Sequence, residues 1–180
     1  FMEINSLFQL LAMQRGGSSV LAAADRMLMI PDIFHWLLSG VASNERTNAT
    51  TSQCFDPRSG DWAFPMLERF SLPSRLFGPV VEPGTDLGPL RPEVAAETGL
   101  EGVRVVVPGT HDTASAVAAV PAVEPPSPRP DWCYVSLGTW ALVGAELDRP
   151  LVTEACRARN FTNEGGIGGT TRLLKNVCGL

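Results

Sequence analysis

Three short segments hold the residue types that could do chemistry. The first is Gly109-Thr110-His111-Asp112-Thr113-Ala114-Ser115-Ala116. It follows the apolar run Val103 to Val107, which reads as a buried strand, and leads into the small-residue helix pattern Ala114 to Val120. Asp112 therefore stands at the mouth of a sheet and beside a helix N-terminus. Ligands gather there in open α/β folds, and an acid is electrostatically welcome there. A helix cap accounts for Asp112 or Thr113 equally well. The second segment is Tyr134-Val135-Ser136-Leu137-Gly138-Thr139-Trp140-Ala141-Leu142-Val143-Gly144. It reads as a hairpin turning at Leu137-Gly138-Thr139. Outward-turned amides at Gly138 and the Thr139 hydroxyl could cradle phosphate oxygens as a nest does. Valine at Gly138 is expected to strain that turn, on the expectation that φ is positive there. An ordinary hairpin turn is the simpler reading of this segment by itself. The third segment, Asn160 to Thr170, is rich in glycine and feeds a pattern, Leu173, Leu174, Val177, Leu180, that reads as a helix. It completes neither a Walker motif nor G-x-G-x-x-G.

In this order the three segments resemble the FGGY family of carbohydrate kinases, and within it the members acting on L-rhamnulose. The resemblance runs over nearly the whole chain. It includes Phe1 to Leu10, Leu28 to Gly40, Asn44 to Gln53, the His111-Asp112-Thr113-Ala114-Ser115 run, Ser136 to Trp140, and Asn160 to Gly166. Each piece alone is weak, and the ordered set is specific. The resemblance implies an α/β chain, part of an actin-like ATPase (ribonuclease H-like) fold of two domains around a cleft. It implies Asp112 as the base that takes the sugar hydroxyl proton, with His111 and Thr113 touching the sugar. It implies Gly138 and Thr139 at the ATP phosphates and Asn176 as a further nucleotide contact. The implied reaction transfers the γ-phosphoryl of ATP, with Mg²⁺, to the 1-hydroxyl of L-rhamnulose. A sister kinase acting on L-fuculose, xylulose, ribulose or glycerol is the first alternative. A non-enzymatic actin-like ATP-binding module is the second, and a sugar-facing turn at Asp112 has no purpose in it. The Asp-x-Gly phosphate motif and the adenosine glycine motif of the family have no counterpart here. The chain therefore reads as an internal fragment, inactive alone, in which no metal ligand can be named.

Composition suggests a soluble, cytoplasmic chain of one or two domain pieces. Hydrophobic residues make up 44% of the 180, enough for a core, and the net charge of −5 is spread along the sequence. Nucleic-acid binding wants basic clusters, and no apolar run approaches a membrane span. Cys54, Cys133, Cys156 and Cys178 form no C-x-x-C, so reduced thiols are expected. The sequons at Asn48 and Asn160 are read as chance. The partners expected are a small sugar and ATP.

The elements that must hold these groups can be read as well. The first hundred residues look mostly helical. Asn5 or Ser6 caps a helix bearing Leu7, Leu10 and Leu11, and Ser18 or Ser19 caps another running through Leu28. Pro31 opens a helix with Ile33, Phe34, Leu37 and Leu38 as its buried stripe, His35 as a packed or half-exposed member, and Gly40 as its stop. Asp61 caps a helix carrying Phe64, Met66, Leu67 and Phe70. Pro92 to Thr98 is a short helix closed by Gly99. The Pro-rich stretch 121–130 reads as a linker between a sugar domain at 1–120 and a nucleotide domain starting at 131–180, the alternative being a surface loop with no hinge role. Asp112 and Thr139 would then lie on opposite sides of a hinge.

Overall fold

The computed structural model describes residues 3–122 and 127–177. Helix α1 (Ser6–Arg15) follows Asn5 and buries Leu7 and Leu10. Helix α2 (Ser19–Ala23) starts where Ser18 Oγ accepts from the Leu21 amide at 3.3 Å. It stops five residues short of Leu28. Ala24 turns extended, the Met27 amide donates to Leu76 O, and Arg26 donates to Ala42 O. Long-range partners outbid local helix bonds in that segment. Helix α3 (Ile30–Ser39) has Pro31 in its first turn and ends at Gly40 with φ 81°. Its expected stripe is not buried. Phe34, Leu37 and Leu38 are exposed, and the buried side chain is Asp32.

Strand β1 (Asn44–Glu45) runs directly into the short helix α4 (Arg46–Ala49). Strands β2 (Phe55–Asp56) and β3 (Asp61–Trp62) form a hairpin. Helix α5 (Phe64–Arg69) follows with Ala63 at its cap, so Asp61 lies in a strand and caps nothing. Strand β4 (Val80–Val81) pairs parallel with β1, Asn44 opposite Val80. Strand β5 (Asp86–Pro89), helix α6 (Pro92–Thr98) and strand β6 (Arg104–Val106) come next, β5 and β6 pairing antiparallel. Proline at its first position and Gly99 at φ 70° bound α6 as the sequence indicates. Helix α7 (Asp112–Ala118) begins at the expected base, with His111 at its cap. Leu7, Leu10, Leu21, Trp62, Leu67 and Leu76 share one core, with the Trp62 and Phe77 rings 5.1 Å apart.

The second half is one antiparallel sheet beside a short helix. Strands β7 (Tyr134–Leu137) and β8 (Ala141–Leu147) form the hairpin, closed by the Gly138 amide donating to Trp140 O at 2.9 Å. Gly138 needs no left-handed backbone, and an added Cβ would meet only Trp140 O, at 3.9 Å. The strain expected for valine there is therefore absent. Helix α8 (Glu154–Ala158), strand β9 (Thr162–Gly165) and strand β10 (Thr171–Val177) complete the order β7-β8-β10-β9. The expected helix beginning at Leu173 is thus strand β10, and Thr162–Gly165 of the expected loop is strand β9. β10 is bonded on both sides, to β8 and to β9, and that pairing overrides a helix-like spacing of leucines. Val117 of α7 packs on Tyr134 and Leu174, which joins the halves. Of the proposed linker, residues 123–126 lie outside the described residues, as do Phe1, Met2, Cys178 and Leu180.

Candidate active site

A cleft of about 1020 Å³ lies between the α7 turn and the face of the four-stranded sheet. His111, Asp112 and Thr113 line it from one side. Gly138 and Thr139 line it from the β7–β8 turn, and Asn176 from β10. All six residues singled out in the sequence thus border one space. Thr50, Phe161 and Glu164 also line it.

The turn is held from beneath by a residue the sequence did not single out. Glu45 is wholly buried. It accepts from the Thr47 and Asn48 amides and the Thr47 hydroxyl, which fixes the start of α4. It also accepts from the Thr110 amide at 3.0 Å and the Thr110 hydroxyl at 2.6 Å. The His111 amide donates to Thr47 Oγ1 at 3.1 Å. Buried Asp32 fixes β1 in turn, accepting from the Glu45 amide and from Asn44 Nδ2. Burial pushes the Asp32 carboxyl above its usual range, and these donors oppose the shift.

On this base Asp112 projects into the cleft with its side chain 95% exposed. Its Oδ1 accepts from the Thr113 amide at 2.6 Å and the Thr113 hydroxyl at 3.2 Å. The carboxylate is anchored on one oxygen and open to solvent. Beside it, burial pushes the His111 imidazole below its ordinary range, opposed by Glu164, reinforced by Arg172, and opposed again by Asp112 and Glu45. The balance favours the neutral imidazole. The opposite wall is tied both to the segment that follows α4 and to the turn. The Gly165 amide donates to Thr50 Oγ1 at 2.8 Å, and the buried Arg172 guanidinium reaches His111. Arg172 had no sequence signal of its own, being one of two cations, with Lys175, that flank Leu173-Leu174. Glu45 had none beyond its place in the Asn44–Gln53 run.

The model of the FGGY family of carbohydrate kinases, N-terminal domain, matches residues 1–119. The chain belongs to the FGGY family of carbohydrate kinases. Relatives agree with that membership over the full length. The rhamnulokinase of Bacteroides thetaiotaomicron is 43% identical over 99% of this chain and 36% of its own length. The rhamnulokinase of Bacillus subtilis is 38% identical over the whole chain and 36% of its own. The chain thus spans just over a third of these curated relatives. Among solved structures, a carbohydrate kinase from Novosphingobium aromaticivorans is 26% identical, with a TM-score of 0.74 over 96% of this chain and 37% of that one. A ligand-bound xylulose kinase from Lactobacillus acidophilus, 15% identical, gives a TM-score of 0.80 over 97% of this chain and 34% of that one. The α/β arrangement is therefore a part of the actin-like, ribonuclease H-like fold of FGGY kinases. No helix among the described residues is long and apolar enough to cross a membrane.

Proposed function

We propose that the protein containing this chain transfers the γ-phosphoryl of ATP to the 1-hydroxyl of L-rhamnulose. The observation that carries the reading is the shared cleft, with Asp112 on one wall and the Gly138-Thr139 turn facing the same space. Rhamnulokinases at 43% and 38% identity support the choice of sugar.

In this reading Asp112 accepts the proton of the attacking hydroxyl as its oxygen bonds to the γ-phosphorus and the ADP oxygen leaves. Phosphoryl transfer is mostly positioning and charge stabilisation, and one carboxylate on the nucleophile is its usual acid–base part. The exposure of Asp112 and its anchoring on Oδ1 suit that task. His111 and Thr113 hold neighbouring sugar oxygens. The Gly138 amide region and Thr139 hold phosphate oxygens, and Asn176 adds a nucleotide contact. We place the domain junction at 121–130, between a sugar domain at 1–120 and the start of a nucleotide domain at 131–180. Closure about it would bring base and phosphate together and expel water. Mg²⁺ accompanies the nucleotide in this chemistry, neutralising charge on the phosphates. The described residues contain no group of three His, Cys, Asp or Glu that could hold it. ATP as donor and free thiols at Cys54, Cys133 and Cys156 suit the cytoplasm.

The test is ADP release by the full-length protein, wild type against Asp112→Asn. Asparagine keeps the shape and loses the base, so kcat should fall ~10²–10⁴-fold. A variant retaining more than about a tenth of wild-type kcat would remove Asp112 from that role. In the same assay L-rhamnulose should lead L-fuculose, D-xylulose, L-ribulose and glycerol in kcat/KM by about tenfold or more, which needs only ~1.4 kcal/mol. Another sugar leading by that margin would move the substrate and leave the family.

A further inference from the structure

Arg172 is wholly buried. A charge in that position must be held by partners. Its Nε donates to Gly165 O at 2.9 Å, and its Nη2 donates to Glu164 Oε2 at 3.2 Å. Glu164 and Arg172 stand opposite each other across β9 and β10, so the strand register builds this pair. From that anchor Nη2 also lies 3.4 Å from His111 Nδ1, 61 residues earlier in the chain. The guanidinium thus ties the sheet to the turn that carries Asp112.

A guanidinium has donors only. The nitrogen that faces it must accept, so the ring proton belongs on Nε2. One group competes. Asp112 Oδ1 lies 3.7 Å from the same Nδ1 and would draw a proton there. Its side chain is 95% exposed, whereas that of Arg172 is 0% exposed. Water screens the first interaction far more than the second. The distance favours Arg172 as well. Every charged group that bears on the ring is thereby named. Glu164 comes from β9, Arg172 from β10, Glu45 from β1, and Asp112 from the turn itself.

We propose that Arg172 is a positioning residue of the cleft: it fixes His111 as a neutral imidazole that accepts at Nδ1 and presents Nε2–H to an acceptor oxygen of the bound polyol. The identity of that ligand rests on the sugar-kinase reading, and the tautomer does not. The arrangement has a chemical purpose. A neutral Nε2–H donor holds a hydroxyl oxygen without removing its proton. Asp112 then remains the one base in the turn. A protonated His111 would instead pair with Asp112 and weaken it as a base.

The test is ¹⁵N NMR of ring-labelled histidine in the full-length protein, with His111 assigned by its loss in His111→Gln. His111 should show the Nε2–H form and titrate below its ordinary midpoint. In Arg172→Met, with folding checked by circular dichroism, it should shift toward the Nδ1–H form and titrate at a higher pH than in the wild type. The sugar KM of that variant should rise about three- to tenfold, the size of one hydrogen bond, with a smaller change in kcat. A merely structural arginine would leave the ring spectrum of a folded variant unchanged, and that result would overturn the proposal. So would a wild-type His111 carrying its proton on Nδ1, a measurement that decides the matter even if every Arg172 variant fails to fold. If no sugar is phosphorylated at all, the kinase reading fails while the tautomer result stands.

Discussion

Glu45 satisfies five donors with two oxygens, four of them at Oε2. Glutamine would turn an amide N–H₂ toward donors and leave some of them buried without a partner. Glu45→Gln should therefore destabilise the protein by about 1–3 kcal/mol, read as a lower denaturant midpoint with an unchanged slope. Equal midpoints would show that the network is incidental to the turn. His111, Asp112 and Thr113 were legible because they sit between an apolar strand and a small-residue helix, a pattern contained within a dozen residues. Glu45 and Arg172 were not. Their partners lie 65 and 61 residues away, and no local pattern encodes such a pairing. A buried ion pair is visible only once the register of β9 and β10 is known.

The elements divide along the same line. Helix α6 was readable from Pro92 and Gly99, two residues whose backbone limits act at the site where they stand. Helix α3 was readable as a helix but not in what it faces, since apolar spacing says nothing of what covers it. Strand β10 was misread because Leu173, Leu174 and Val177 fit a helical period, while neighbours on both sides dictate a strand. Gly144 is a product of that sheet. A Cβ there would come 2.7 Å from Leu173 O and 2.8 Å from Leu174 Cβ, on a strand that cannot move away from its partner. Gly144→Ala should cost about 1–3 kcal/mol through overpacking, seen as a lowered Tm. Gly138→Ala, with only Trp140 O near at 3.9 Å, should stay within about 0.5 kcal/mol of wild type. Similar losses at both glycines would contradict the packing described for β8.

At the scale of the molecule, the core and the seam between the halves behave differently. Cys54 is wholly buried beside Ala49 and Phe55, and burial pushes its thiol up to about 11. Cys133 is exposed. Iodoacetamide at pH 8 should label Cys133 and leave Cys54 intact, because the thiolate is the reactive form and needs access. Mass spectrometry showing equal labelling would mean that the first core opens readily. The seam depends on contacts between distant parts of the chain, such as Glu45 with Thr110 and Thr50 with Gly165, 65 and 115 residues apart. That separation has a consequence during synthesis. At 5–20 residues per second, Thr110 is added roughly 3–13 s after Glu45. A nascent chain must keep the Glu45 carboxylate hydrated for that interval. The wall of the cleft that contains Asp112 therefore cannot be finished while its own foundation is leaving the ribosome.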